Sequence, residues 1–168
     1  MAKNGLVLIT KATFSGQSSV SIENCFSATY THYIVKRNFS ASAADLNVNV
    51  RLRVGGSDAS GANYRYQVLE ATSTTVSGAR ATGQSTFTAA LGATELTAIG
   101  WAELWISNPF EAVPTTMWRD AGYTMTGNLG ITPIVQAHDL STSYTGITVY
   151  PSSGTITGSI SVWGLVKS

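Results

Sequence analysis

The residues able to do chemistry are few, and their spacing brings no known constellation together. The chain has one cysteine, Cys25, two histidines, His32 and His138, and nine acidic residues spread along its length. Neither histidine has a second histidine or a cysteine at metal-ligand spacing. No G-x-S-x-G, G-x-G-x-x-G, H-E-x-x-H or C-x-x-C occurs. A Ser-His-Asp triad is assembled in space, so a serine-rich chain supplies its parts without pointing to one. "GGSDASGAN" (55–63) has the glycines of an anion cradle but no lysine and no following helix pattern. As a calcium loop it offers only Asp58 as a charged ligand, where such sites use several carboxylates. The expectation is a loop joining two strands, no metal, no cofactor and no enzymatic activity. A lone cysteine forms no intrachain disulfide, and "IENCFS" reads as the end of a strand with a buried, inert thiol.

Residues suited to binding are easier to find. "LNVNVRLRV" carries Arg51 and Arg53, and "NYRYQVLEA" carries Tyr64, Arg65 and Tyr66. If these two strands pair, the arginines share an outer face beside a tyrosine. Arginine and tyrosine are enriched at interface hot spots, so these five are the candidate partner-binding residues. The plain alternative is a solvated face. The tryptophans Trp101, Trp105, Trp118 and Trp163 have the ring faces to stack on sugars, but the expectation is that they fill a core or a subunit interface.

The elements that must hold these residues are strands. Alternation of period two recurs along the chain. In "LNVNVRLRV", Leu46, Val48, Val50, Leu52 and Val54 face one way, and Asn47, Asn49, Arg51 and Arg53 the other. In "WAELWISN", Trp101, Glu103 and Trp105 oppose Ala102, Leu104 and Ile106. "GTITGSISVWGLV" puts Ile156, Ile160, Val162 and Val166 together. "SGQSS", "SNPFEAVP" and "YPSSG" supply turn residues between such runs. A short helix or turn is expected only in "TAALGATELTAIG" (88–100). The predicted fold is all-β, a single-domain antiparallel β-sandwich over 1–168, jelly-roll-like.

Composition narrows the function class. Charged residues make up 11% of the chain, well under the quarter usual in soluble domains, and serine and threonine fill about a quarter. A surface poor in charge desolvates cheaply and suits protein contacts. The net charge of +1 gives no basic excess for nucleic acid. "GLVLI" (5–9) is too short for a signal core or a membrane span, so a soluble product made in the cytoplasm, without membrane contact, is expected.

"GLVLITKATFSGQSSVSIENCFSATYTHYIVKRNFS", "VRLRVGGSDASGANYRYQ", "ELWISNP" and "GTITGSISVWGL" together resemble the small β-sandwich virion proteins of tailed bacteriophages. That family includes capsid decoration (cement) proteins and related domains at head-fibre and tail-fibre tips. The resemblance implies a structural protein of the virion, assembled in the host cytoplasm and without catalytic residues. Fibre-tip members end a longer chain, whereas the strand pattern here begins at residue 5, so decoration is the expected role. Its partners would be the major capsid protein or other virion proteins, and its state a homotrimer. A decoration protein stabilises the head lattice by binding the assembled form and not the separate subunits. The alternative is a head- or tail-fibre tip, a receptor-binding protein contacting host surface glycans.

Overall fold

The computed structural model describes residues 5–43, 46–94, 102–125 and 128–166. Among these residues the strands follow in order: β1 (Leu6–Gln17), β2 (Val20–Ile22), β3 (Tyr30–Ala41), β4 (Leu46–Val54), β5 (Ser57–Asp58), β6 (Tyr64–Thr72), β7 (Thr75–Gln84), β8 (Ala93–Thr94), β9 (Glu103–Ser107), β10 (Thr115–Asp120), β11 (Gly122–Met125), β12 (Asn128–Ile131), β13 (Ile134–His138), β14 (Gly146–Pro151) and β15 (Ile156–Val166). They form two antiparallel sheets packed as a β-sandwich, as the alternation predicts. The large sheet runs β1-β15-β3-β9-β10-β13-β6-β12-β11, with β7 on the other edge of β6. The small sheet runs β2-β14-β4-β5, with β8 also on β4.

The inner faces are built from the residues whose alternation marked them. Val48, Val50 and Leu52 of β4 meet Tyr33 and Val35 of β3, Leu104 and Ile106 of β9, Met117 of β10, and Ile160 and Val162 of β15 in one buried cluster. Gly164 of β15 lies on this inner phase too. A β-carbon there would come within 2.6 Å of the Tyr30 ring, so the glycine makes room for an aromatic. In the described part of "TAALGATELTAIG", 88–91 form a turn and 93–94 form β8; the remainder lies outside the described residues. Among the described residues, no helix is long and apolar enough to cross a membrane.

Two hairpins extend the large sheet. β10 and β11 run back through β12 and β13 as one ribbon, interrupted where the Thr132 amide donates to the Ala121 carbonyl at 2.9 Å. β6 and β7 form the second ribbon, paired from Tyr64–Gln84 out to Thr72–Thr75. From Thr75 to Arg80 the positions of β7 are exposed on both phases of the alternation, so neither face of that stretch rests on the small sheet.

Candidate binding surface

The outer face of the large sheet carries one unbroken row across its strands. Leu8 pairs with Trp163, Trp163 with Ile34, Ile34 with Trp105, Trp105 with Trp118, and Trp118 with Val135. Directly opposed residues on one face are the closest side-chain neighbours in a sheet. Six strands at about 4.8 Å make the row about 24 Å long. Trp118 is 43% exposed and Val135 53%, while Ile34, between Trp163 and Trp105, is buried. The Trp163 indole Nε1 donates to Ser161 Oγ at 2.9 Å, which lays the ring along its own strand.

Over β3, β9 and β10 the row is one residue wide; on β1 and β15, Leu6 and Leu165 widen it. On one side runs Lys11–Ser161–Lys36–Glu103–Asp120, with a 2.7 Å ion pair between Lys36 and Glu103. On the other side His32, Ser107 and Thr116 stand in register, and His32 Nδ1 lies 3.0 Å from Ser107 Oγ. Beyond Val135 the row continues through Gln67 to Arg80. Here Arg65, Gln67, Arg80, Thr116 and Val135 line a shallow groove of about 410 Å³. Arg65 Nε is 3.0 Å from Asp139 Oδ1, in an ion pair open to solvent.

The three described tryptophans therefore do not fill the space between the sheets. Trp105, Trp118 and Trp163 alternate with inward Leu104, Met117 and Val162, so each sits in the outward phase. Trp101 lies outside the described residues. This outward phase was readable in each strand; that the three share one row depends on pairings between distant strands.

The five predicted contact residues are not one surface. β4 belongs to the small sheet and β6 to the large one, so the strands carrying them do not pair. "GGSDASGAN" is a hairpin, but its second strand is the two-residue β5. Gly55 (φ 59°) and Gly56 (φ 77°) take the two left-handed positions of the turn between paired Val54 and Ser57. The chain then crosses to the other sheet.

Arg53 is not on a solvated face. Its Nε is 2.7 Å from Glu23 Oε1, its Nη1 donates to Asp58 and to Thr148 Oγ1, and its Nη2 donates to the Gly56 carbonyl. Partial burial pulls its pKa down, but Glu23 and Asp58 outweigh this and raise it. Asp58, the one acidic residue considered as a calcium ligand, is thus a structural partner. Arg51 donates from Nε to the Ser85 carbonyl at 3.1 Å and stacks 4.9 Å from the Tyr150 ring centroid. Tyr64 is a core residue. Its hydroxyl accepts from the Leu52 amide at 3.2 Å and donates to the Ala59 carbonyl at 2.7 Å, and burial raises its pKa. Tyr66 is half-buried, and its backbone pairs with Gln136 and Ala81. Only Arg65 points outward from the large sheet, where it lines the groove.

Buried polar groups lie elsewhere. His138 is the last residue of β13. Its ring centroid is 4.3 Å from that of Tyr64, and its Nδ1 is 3.2 Å from the Tyr144 hydroxyl. Burial lowers its pKa, with Asp139 acting in the opposite sense. The Cys25 thiol is buried, as expected, and desolvation pushes its pKa up to about 12. Arg37 and Arg119 are buried on the inner face, and desolvation lowers each to about 10, with Arg37 adding to the effect on Arg119. Among the described residues, no group of three or more His, Cys, Asp or Glu side chains is placed to hold a metal ion.

Fold and surface together define a class: an antiparallel β-sandwich whose distinctive surface is an aromatic row on one sheet. No family model matches the chain, no curated protein matches it, and no solved structure matches it.

Proposed function

We propose that the protein is a non-catalytic structural subunit of a bacteriophage virion, a decoration (cement) protein that binds the major capsid protein as a homotrimer and stabilises the head lattice. The observation that carries the assembly role is the β6–β7 ribbon. Leu69 is 53% exposed and Val76 68%, at the end of the large sheet where β7 is the edge strand and is open to solvent on both faces. An exposed apolar patch beside an unpaired strand edge invites pairing. A partner surface there covers both the patch and the edge. The low charge of the chain reduces the desolvation cost of that contact.

The test is co-sedimentation of the purified protein with capsid shells lacking it, together with its copy number in the virion. Binding that saturates at a number set by the lattice, and that raises the melting temperature of the shell, is the expected result. No binding to shells, and a copy number too low to cover the lattice, would reject decoration. A second reading, a fibre-tip protein contacting host glycans, is favoured by the outward row of tryptophans.

A further inference from the structure

We propose that the outer face of the large sheet binds a linear acidic polysaccharide, with sugar rings stacked on Trp163, Trp105 and Trp118 and a carboxylate held by Arg65 and Arg80. This deepens the second reading and rests on it, since it names the class of glycan and the residues that take it.

Three observations fit this occupant. The first is shape. A protein partner needs a patch several residues across, with an apolar centre and a polar rim. This row runs six strands, from Leu8 to Val135, and over β3, β9 and β10 it is one residue wide. A sugar chain has matching proportions, with apolar C–H faces on its rings and hydroxyls along both edges.

The second observation is the flanks. Ser161, Lys36, Glu103 and Asp120 line one side of the row, and His32, Ser107 and Thr116 the other. These are donors and acceptors at the level of the edge hydroxyls. The Lys36–Glu103 pair fixes two of them in place.

The third is charge at one end. The groove beyond Val135 holds two guanidinium groups, from Arg65 and Arg80. One carboxylate, Asp139, pairs with Arg65 through its Nε, which leaves the Nη donors of that fork for a ligand. A planar carboxylate matches the fork of an arginine in a bidentate pair. Gln67 and Thr116 add neutral hydrogen-bonding groups in the same groove. A uronic acid supplies both the stacking face and the carboxylate.

The experiment uses the full chain and titrates it with alginate oligosaccharides, a linear polyuronate, and with a neutral linear glucan. Heat of binding and tryptophan fluorescence are the readouts. Alginate is expected to quench the fluorescence and to bind more tightly than the glucan, with affinity falling as salt rises. Trp118→Ala is expected to weaken alginate binding about tenfold, one stacking contact. Arg80→Gln is expected to bring alginate down to the affinity of the glucan. Thr116→Glu removes no buried side chain and sets a carboxylate in the groove, so it is expected to repel alginate while the melting temperature holds. Failure to bind alginate, or binding unchanged by both Trp118→Ala and Thr116→Glu, would overturn the proposal. Glucan binding equal to alginate would overturn the acidic class while leaving glycan contact as such standing. Loss of self-association in Trp118→Ala, with no glycan bound, would assign the row to a second copy of the chain and likewise overturn it.

Discussion

His138 shows how burial sets the behaviour of a single group. The ring is enclosed by Tyr64 and Tyr144, and desolvation holds its pKa below the ordinary 6.5. In the unfolded chain the imidazole takes up a proton near its ordinary value, while in the folded chain it stays neutral to a lower pH. Below pH 6.5 the unfolded state therefore binds more protons than the folded one, and stability falls. The contribution is complete above that pH and is lost progressively as pH drops toward the folded-state value. Urea unfolding at a series of pH values should show this decline. In His138→Phe the part of the slope just below 6.5 should shrink relative to the parent protein. An identical slope in both proteins would show that other groups carry the pH dependence.

At the scale of elements, Arg53 ties together the turn after β4, the segment after β2, and β14. Glu23, Gly56, Asp58 and Thr148 all meet its guanidinium. Hydrogen bonds to charged groups contribute about 1.5–3 kcal/mol, so Arg53→Ser should lower stability by about 2 kcal/mol in urea unfolding. Arg51→Ser removes a cation–π contact, one bond to a carbonyl and a 3.9 Å ion pair with Asp58, and should cost less. Equal small losses would restore both to a solvated face. The strand alternation of "LNVNVRLRV" already fixed which residues of β4 face the core, and Val48, Val50 and Leu52 do so. The glycine pair marked a tight turn. What alternation leaves open is the partner of each strand. β4 pairs with β14, almost a hundred positions on, and β6 pairs with β13, so neighbours in sequence became members of opposite sheets. For that reason Arg53 and Tyr64, read as surface residues beside one another, are a clamp and a core residue. The aromatic row escaped for the same reason, although each tryptophan was in the outward phase of its own strand.

For the whole molecule, the question is what covers the part of the large sheet that reaches past the small one. β6 and β7 carry Leu69 and Val76 into solvent, and Ile131 at the end of β12 is 61% exposed. Large apolar side chains gathered on an arm, away from the core, mark a contact surface more strongly than the same residues scattered singly. An arm of this kind packs most readily against a neighbouring copy, because rotational symmetry repeats the same contact and closes the ring. The expected state is a trimer at micromolar concentration in sedimentation equilibrium. Leu69→Asp together with Val76→Asp should give a monomer with native circular dichroism, since neither side chain belongs to the buried core. The melting temperature of the parent should rise with protein concentration, because association draws on the folded form alone, and that dependence should vanish in the double variant. A parent protein that is monomeric at every concentration would rule out the homotrimer and leave the capsid lattice as the surface to cover the arm. An unchanged trimer in the double variant would move the interface off the arm, toward the free edge of β1 at the other end of the sheet.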